Sequence, residues 1–261
     1  MQLGGYEVTG KLGEGAAGTV YRATGPHGEV AVKLLRDTDP VARRRFEREA
    51  HVASEAASRH LVPILEVGDG FFVMPLYERG SLAESIRRGG SLPLASVVRL
   101  AAELAQALDA LHALEIVHRD VKPSNVLLSD DGAMLADFGL ARGAGATQLT
   151  RDGQLVGSAH YLAPELIEGR TATPASDIYA LGCLLYECVT AVPPFMGRAD
   201  AELGYAHLVE PPPDPRTLRA GLSDDVAATL LSALEKGPAS RPPSATALAR
   251  MLHLAGKPAP A

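Results

Sequence analysis

Ile116-Val117-His118-Arg119-Asp120-Val121-Lys122-Pro123-Ser124-Asn125-Val126-Leu127-Leu128 crowds six polar or charged side chains between two apolar flanks. The flanks, Ile116-Val117 and Val126-Leu127-Leu128, read as short buried strands. The residues between them then sit on a loop held at the edge of a core, where chemistry is commonly placed. Which chemistry depends on the rest of the chain.

The chain has 261 residues, 46% hydrophobic and 21% charged, an ordinary globular balance that argues against disorder. A net charge of −6 gives no support to nucleic acid as the partner. The one basic run, Arg43-Arg44-Arg45, reads as a solvated helix face. Cys183 and Cys188 show no zinc spacing and do not face each other on a helix, which points to buried thiols in a reducing, cytoplasmic compartment. The start, MQLGGYEVTG, lacks a secretory pattern. The longest apolar segment, Ile178 to Thr190, is too short to span a bilayer and contains Glu187; it reads as a helix buried nearly all round.

The first part of the chain alternates like an antiparallel sheet. YEVTGKLGEG, GTVYRAT and EVAVKLL are strands, GPHG is a turn, and HLVPILEVG and GFFVMPLY are two further strand candidates. Pro40 opens a helical stretch between the two groups. After Gly80 the period changes: Leu94, Val97, Val98, Ala101, Leu104, Ala105, Leu108 and Leu111 mark a long helix. Pro174 starts the buried helix, and others follow near 198–208, 223–235 and 244–254. This predicts an α+β fold with two lobes, a β-rich one over about 1–75 and a helical one over about 76–255, with a Pro/Ala-rich tail at 256–261 that resembles the beginning of a linker. A cleft between lobes is a common place for a ligand.

Leu12-Gly13-Glu14-Gly15-Ala16-Ala17-Gly18-Thr19-Val20 spaces its glycines as G-x-G-x-x-G. Strands lie on both sides and no helix follows, so this is not a dinucleotide fingerprint. A glycine hairpin folded over phosphates fits better, since glycine lets backbone N–H groups approach phosphate oxygens. Downstream, Lys33 shares a strand face with Ala31 and Leu35. A lysine on an inward face needs an acidic partner and suits a phosphate as a point charge. Glu49, three residues after Phe46, is the best candidate partner, with Glu47 and Glu55 as alternatives.

On the opening loop, Asp120 is placed to accept a hydroxyl proton, Lys122 to steady a transferring phosphoryl group, and Asn125 to hold a metal. Asp137-Phe138-Gly139 follows, where a carboxylate after a short strand suits Mg²⁺ between phosphates. His118 reads as a packing residue.

With these residues in hand, the chain resembles a Ser/Thr protein kinase catalytic domain, most closely the bacterial, eukaryotic-like members. GEGAAGTV is similar to the family's glycine-rich loop, VAVK to its ATP lysine, HRDVKPSN to its catalytic loop and DFG to its metal segment. Ala163-Pro164-Glu165, Asp177 followed by Gly182, and Arg241 complete the series in order. Arg241 matches the arginine that in the family pairs with the glutamate of the APE segment. The bilobal kinase fold is what the resemblance implies, with ATP and Mg²⁺ or Mn²⁺ as cofactors. It places adenine between Val20 and Ala31 above and Leu127 below, with Met74 closing the back and Leu76 in the hinge. Pro75 stands at a hinge position that uses a carbonyl, which proline keeps. Lys122 favours Ser/Thr over Tyr substrates.

The segment between DFG and APE carries Thr147 and Thr150 as candidate phosphosites, and Asp152 falls where relatives carry a second phosphothreonine. Thr150 aligns with the other of those two threonines, and a phosphate on it would pair with Arg119 and Arg142, with Asp152 partly mimicking the second phosphate. The implied partners are proteins bearing Ser/Thr, and the resemblance permits a homodimer through the N-lobes. A parent protein anchored in a membrane, with this domain on its cytoplasmic side, is compatible with the tail. The alternative is a pseudokinase, a nucleotide-binding scaffold on the same fold; no catalytic position is missing, which weighs against it. A small-molecule phosphotransferase is disfavoured by the APE segment.

Overall fold

The computed structural model describes residues 1–15, 18–35, 56, 58–137 and 159–257. The expected helix after Pro40, with Glu49, lies outside them, as do Ala16, Ala17, Arg142, Thr147, Thr150 and Asp152.

The alternating N-terminal stretches form strands β1 (Gln2–Leu3), β2 (Tyr6–Gly15), β3 (Gly18–Gly25), β4 (Gly28–Leu35), β5 (Glu66–Gly68) and β6 (Phe71–Pro75). They build one antiparallel sheet in the order β1-β2-β3-β4-β6-β5. Period-two alternation splits its side chains between two cores. Tyr6, Ala23, Val30, Val32, Phe71 and Val73 pack on one face. Ala31, Phe72 and Met74 turn to the other and join the main core shared with the helices. The register Ala31↔Met74, Val32↔Val73, Lys33↔Phe72 therefore puts Lys33 on the inward face, 7% exposed.

The helices are α1 (Leu82–Gly89), α2 (Leu94–His112), α3 (Pro164–Ile167), α4 (Pro174–Thr190), α5 (Asp200–Val209), α6 (Asp224–Ala233) and α7 (Ala245–Ala255). Helix α2 buries Val97, Leu100, Ala101, Leu104, Ala105, Ala107, Leu108 and Leu111, the stripe its spacing predicts. Helix α4 starts at Pro174 and is buried on almost every side. Gly182 lets it approach α6: a Cβ there would stand 2.7 Å from the Cβ of Ala233. Among the described residues no helix is long and apolar enough to cross a membrane. Cys183 and Cys188 are free and buried, and burial pushes both thiols well up.

Two readings need correction. Val126–Ser129 is a strand (β7) paired with Gly132–Leu135 (β8), but Ile116-Val117 is not. Helix α2 ends in a tight turn with Glu115 at φ 58°, Ile116 N–H returns to Leu111 O at 3.0 Å, and the His118 N–H is taken by a side-chain carboxylate instead of a strand. Helix α1 adds an element that the periodicity does not reveal. Its signal is a capping box: Glu84 N–H donates to Ser81 Oγ (3.3 Å) and Ser81 N–H to Glu84 Oε2 (3.0 Å).

Candidate active site

The loop after α2 hangs on one buried carboxylate. Asp177, in the first turn of α4, accepts the N–H of His118 at Oδ2 and that of Arg119 at Oδ1, both at 2.8 Å. Arg119 is held at φ 65°, left-handed backbone that costs about 1–3 kcal/mol for a non-glycine residue and persists where its surroundings over-determine it. His118 is fully buried. Its Nδ1 accepts from Asp120 N–H (3.3 Å), so Nε2 carries the proton donated to Ala136 O (3.0 Å). Burial pushes its pKa below the ordinary histidine value, outweighing nearby carboxylates. It is a brace, as the sequence implied.

Beyond this brace the loop presents its chemistry. Asp120 Oδ2 lies 2.9 Å from Lys122 Nζ and accepts from Asn125 Nδ2 at 3.0 Å, while the same amide bonds Asp120 O at 2.8 Å. Pro123 opens a 3₁₀ turn over Pro123–Asn125 that folds Asn125 back onto Asp120. Asn125 O in turn accepts from Ala136 N–H (2.8 Å), which brings the residue before Asp137 against the loop. Three of the predicted residues, Asp120, Lys122 and Asn125, thus share one cluster, and Asp137 is next to it.

Asp137 also leaves its strand in a left-handed conformation, φ 60°. Its Oδ1 stands 2.5 Å from Lys33 Nζ, which crosses from β4 and lies 5.8 Å above the Phe72 ring. Among the described residues Asp137 Oδ1 accepts no well-directed hydrogen bond, although it is buried. The Asp137 carboxylate and the Asn125 side-chain amide are hard oxygen donors of the kind that suit a divalent cation. Two protein donors are too few for a closed metal cage, and no cluster of three or more His, Cys, Asp or Glu occurs among the described residues.

The glycine series lies on the β2–β3 hairpin, whose strands pair from Glu7↔Thr24 to Gly15↔Gly18. A Cβ on Gly13 would meet nothing within 4 Å. Ala31 and Met74 are buried in the main core, and Val20, Leu76 and Leu127 are partly buried against it. The backbone ties Leu127 to the segment after β6: Leu128 N–H donates to Gly80 O at 2.9 Å, and Ser81 bridges Leu127. The apolar residues expected around adenine therefore belong to one cluster. Leu12 is half-exposed outside it, and Glu14 and Thr19 lie at the hairpin, where Glu14 Oε2 pairs with Lys11 at 2.6 Å. Asp137 is the one acidic partner of Lys33 among the described residues, since Glu49 lies outside them.

On the far side, Glu165 and Arg241 form the pair that the resemblance implies. It is bidentate, 2.8 Å at both oxygens, with side chains 3% and 0% exposed. Burial would raise the Glu165 carboxyl, but the hydrogen bonds from Arg241 and from Ser176 Oγ (2.7 Å) hold it below the ordinary range. Tyr161 OH donates to Glu187 Oε2 at 2.6 Å, tethering the segment before Glu165 to α4. This Tyr161–Glu187 contact escapes the sequence reading. The available signal is the acid itself, since a glutamate in an apolar helix requires a partner.

A family model described as a protein kinase domain matches residues 6–252, a span that holds the glycine hairpin, the inward lysine, the braced aspartate loop and the second aspartate. The chain belongs to the protein kinase family. Among curated kinases it is 40% identical over 263 residues to serine/threonine-protein kinase PknD of Mycobacterium tuberculosis, covering 97% of this chain and 40% of that one. It is 39% identical over 261 residues to PknH of Mycobacterium bovis, covering 96% and 44%. The chain thus spans about two fifths of the length of these kinases. The crystal structure of a mutant PknI kinase domain from Mycobacterium tuberculosis superposes with a TM-score of 0.78 at 28% identity, covering 98% of both chains. A Rad53 fragment in complex with AMP-PNP gives 0.77 at 24% identity, covering 94% of this chain and 64% of that one, which bears on the fold alone. The kinase family as a whole uses ATP and a divalent metal, in keeping with the oxygen donors found here.

Proposed function

We propose that this kinase domain transfers the γ-phosphoryl group of ATP to Ser/Thr hydroxyls of protein substrates. The observation that carries the reading is the shared anchoring of Asp120 Oδ2 by Lys122 and Asn125. A carboxylate fixed in this way can align a substrate hydroxyl and take its proton as oxygen bonds to the γ-phosphorus and the bridge to ADP breaks. Lys122, beside the same oxygen, would neutralise charge on the transferring group. Lys33 would hold the donor phosphates from above, and the hairpin from Leu12 to Val20 would cover them with backbone N–H groups. Asn125 and Asp137 would hold Mg²⁺, or Mn²⁺, which supplies charge neutralisation on the phosphates. Ala31, Met74, Leu76 and Leu127 would enclose adenine, and Glu49 would share Lys33 with Asp137.

In this reading Thr150, and secondarily Thr147, are self-phosphorylated, with Asp152 standing in for a second phosphate. The lobes divide near residue 75. A dimer through the N-terminal lobes, a cytoplasmic setting and a longer, membrane-anchored parent chain belong to the same proposal. The test is incubation of the phosphatase-treated protein with Mg-ATP beside Asp120→Asn, read by mass spectrometry. Phosphate on loop threonines or on an added protein substrate, in the unmutated chain alone, is the expected result. Nucleotide binding with no transfer to either would overturn the reading.

A further inference from the structure

Lys236 is half-buried and has no ion-pair partner among the described residues. Its Nζ donates instead to two carbonyls in the last turn of α5, Ala206 O at 3.1 Å and His207 O at 2.9 Å. The same ammonium lies 4.8 Å over the Phe195 ring. Carbonyls at a helix end lack partners within the helix, so a cation there fixes the end of α5. Burial, with Arg241 nearby, pushes the Lys236 pKa down to about 8 from 10.5. A neutral side chain would lift that penalty, so global stability is not what the ammonium supplies. The Lys236 backbone is anchored too: its carbonyl accepts from Arg241 Nη2 at 3.0 Å, and Arg241 holds Glu165.

Helix α5 packs against the segment that contains Glu165. Phe195, Leu203 and Ala206 form one buried cluster with Ala159 and Leu162, and Leu166 lies against it. His160 adds a polar tie, its Nδ1 2.9 Å from Phe195 O. The same segment borders the aspartate loop, because Tyr161, Leu162 and Leu166 line a pocket with Asp120 and Val121. We infer that Lys236 is a positioning residue for protein substrates: by clamping the end of α5 it seats the 159–167 segment, one wall of the pocket at Asp120. This rests on the kinase reading above. Without the ammonium, the end of α5 and the Phe195 ring are free to shift, and the wall shifts with them. Ala31, Lys33 and Met74 stand on β4 and β6, which make none of these contacts. The effect therefore falls on the KM for the protein substrate and spares the KM for ATP.

The experiment compares Lys236→Met with Lys236→Arg, which keeps a cationic donor. A tagged Asp120→Asn chain serves as the protein substrate, with Mg-ATP as the donor. For Lys236→Met the expected result is a KM for the tagged chain about 10-fold higher, with the KM for ATP within about twofold. Amide exchange in α5 and in residues 159–167 should also be faster, and Lys236→Arg should recover most of both. Equal changes in the two variants would overturn the inference, because a cation would then not be what matters. So would a parallel rise in both KM values, or a lower urea midpoint with the KM for the tagged chain unchanged. If the unmutated chain transfers no phosphate, the kinase reading fails. Amide exchange in the two variants then still decides whether Lys236 seats the segment.

Discussion

Gly18 and Leu34 pass so closely that a Cβ on Gly18 would stand 2.1 Å from the Leu34 carbonyl oxygen. That oxygen is backbone in a paired strand and cannot step aside. Gly13, in the same glycine series, has open space where its Cβ would be. The two glycines thus answer to different demands. Gly18→Ala should destabilise the sheet by several kcal/mol, at the severe end for point substitutions. Gly13→Ala should leave stability within about 0.5 kcal/mol and instead raise the KM for ATP severalfold, by filling open space that the proposed function gives to the phosphates. Urea unfolding of both variants beside ATP titration checks this; a Gly18→Ala protein of normal stability would refute the steric argument.

The Glu165–Arg241 pair is fully desolvated, and each partner also ties other elements. Arg241 donates to Glu235 O, Lys236 O and Ala175 O and lies 4.9 Å over the Tyr179 ring. Removing one partner strands the other charge. Arg241→Ala should cost about 3–5 kcal/mol, and Glu165→Ala a similar amount. The double variant should cost clearly less than the sum, because it leaves no orphan charge. Additive losses in a denaturation cycle would mean the pair is not coupled.

Lys33 and Asp120 should separate binding from transfer. The Lys33 ammonium on β4 is paired with Asp137, whereas Asp120 is anchored within its own loop. Lys33→Met should lower kcat/KM by about 10²–10³. Asp120→Asn should abolish transfer while leaving nucleotide affinity within about twofold, since its anchors are Lys122 and Asn125 and the exchange is isosteric. Calorimetric titration of nucleotide into both proteins separates the effects. A large loss of nucleotide affinity in Asp120→Asn would count against its placement at the hydroxyl.

Much of this arrangement is legible in the sequence because it is local. Alternation puts Lys33 on the face of Ala31, and the spacing from Asp120 to Asn125 matches a loop that folds back on itself. What cannot be read is set by residues far apart in the chain. Asp177 takes the His118 N–H across 59 positions, and that contact is why Ile116-Val117 does not become a strand. Tyr161 and Glu187 meet only because α4 passes under the segment before Glu165. Helix α1 is a different case: Ser81 and Glu84 carry its start, but its apolar stripe, Leu82 and Ile86 alone, is too short to show a period.

His207 sets a limit on acid stability. It is fully buried on α5, with Nδ1 2.8 Å from Tyr179 OH and its ring edge-on to Phe195 at 4.9 Å. Burial, then the charges of Lys236 and His160, push its pKa down to about 3 from 6.5. The folded protein therefore refuses a proton that the unfolded chain accepts below pH 6.5. Between pH 6.5 and about 3 the unfolded state binds more protons, so stability is fully present above 6.5 and falls as the pH drops. One such group costs about 1.4 kcal/mol per pH unit inside that window. His118, depressed in the same direction, adds to the slope. His207→Gln should be less stable at pH 7.5 through its altered contact with Tyr179, yet lose stability more slowly between pH 6.5 and 5, by about one proton's worth of slope. Urea melts at three pH values in that range measure it. Parallel slopes for the two proteins would mean that His207 takes up its proton without unfolding the protein.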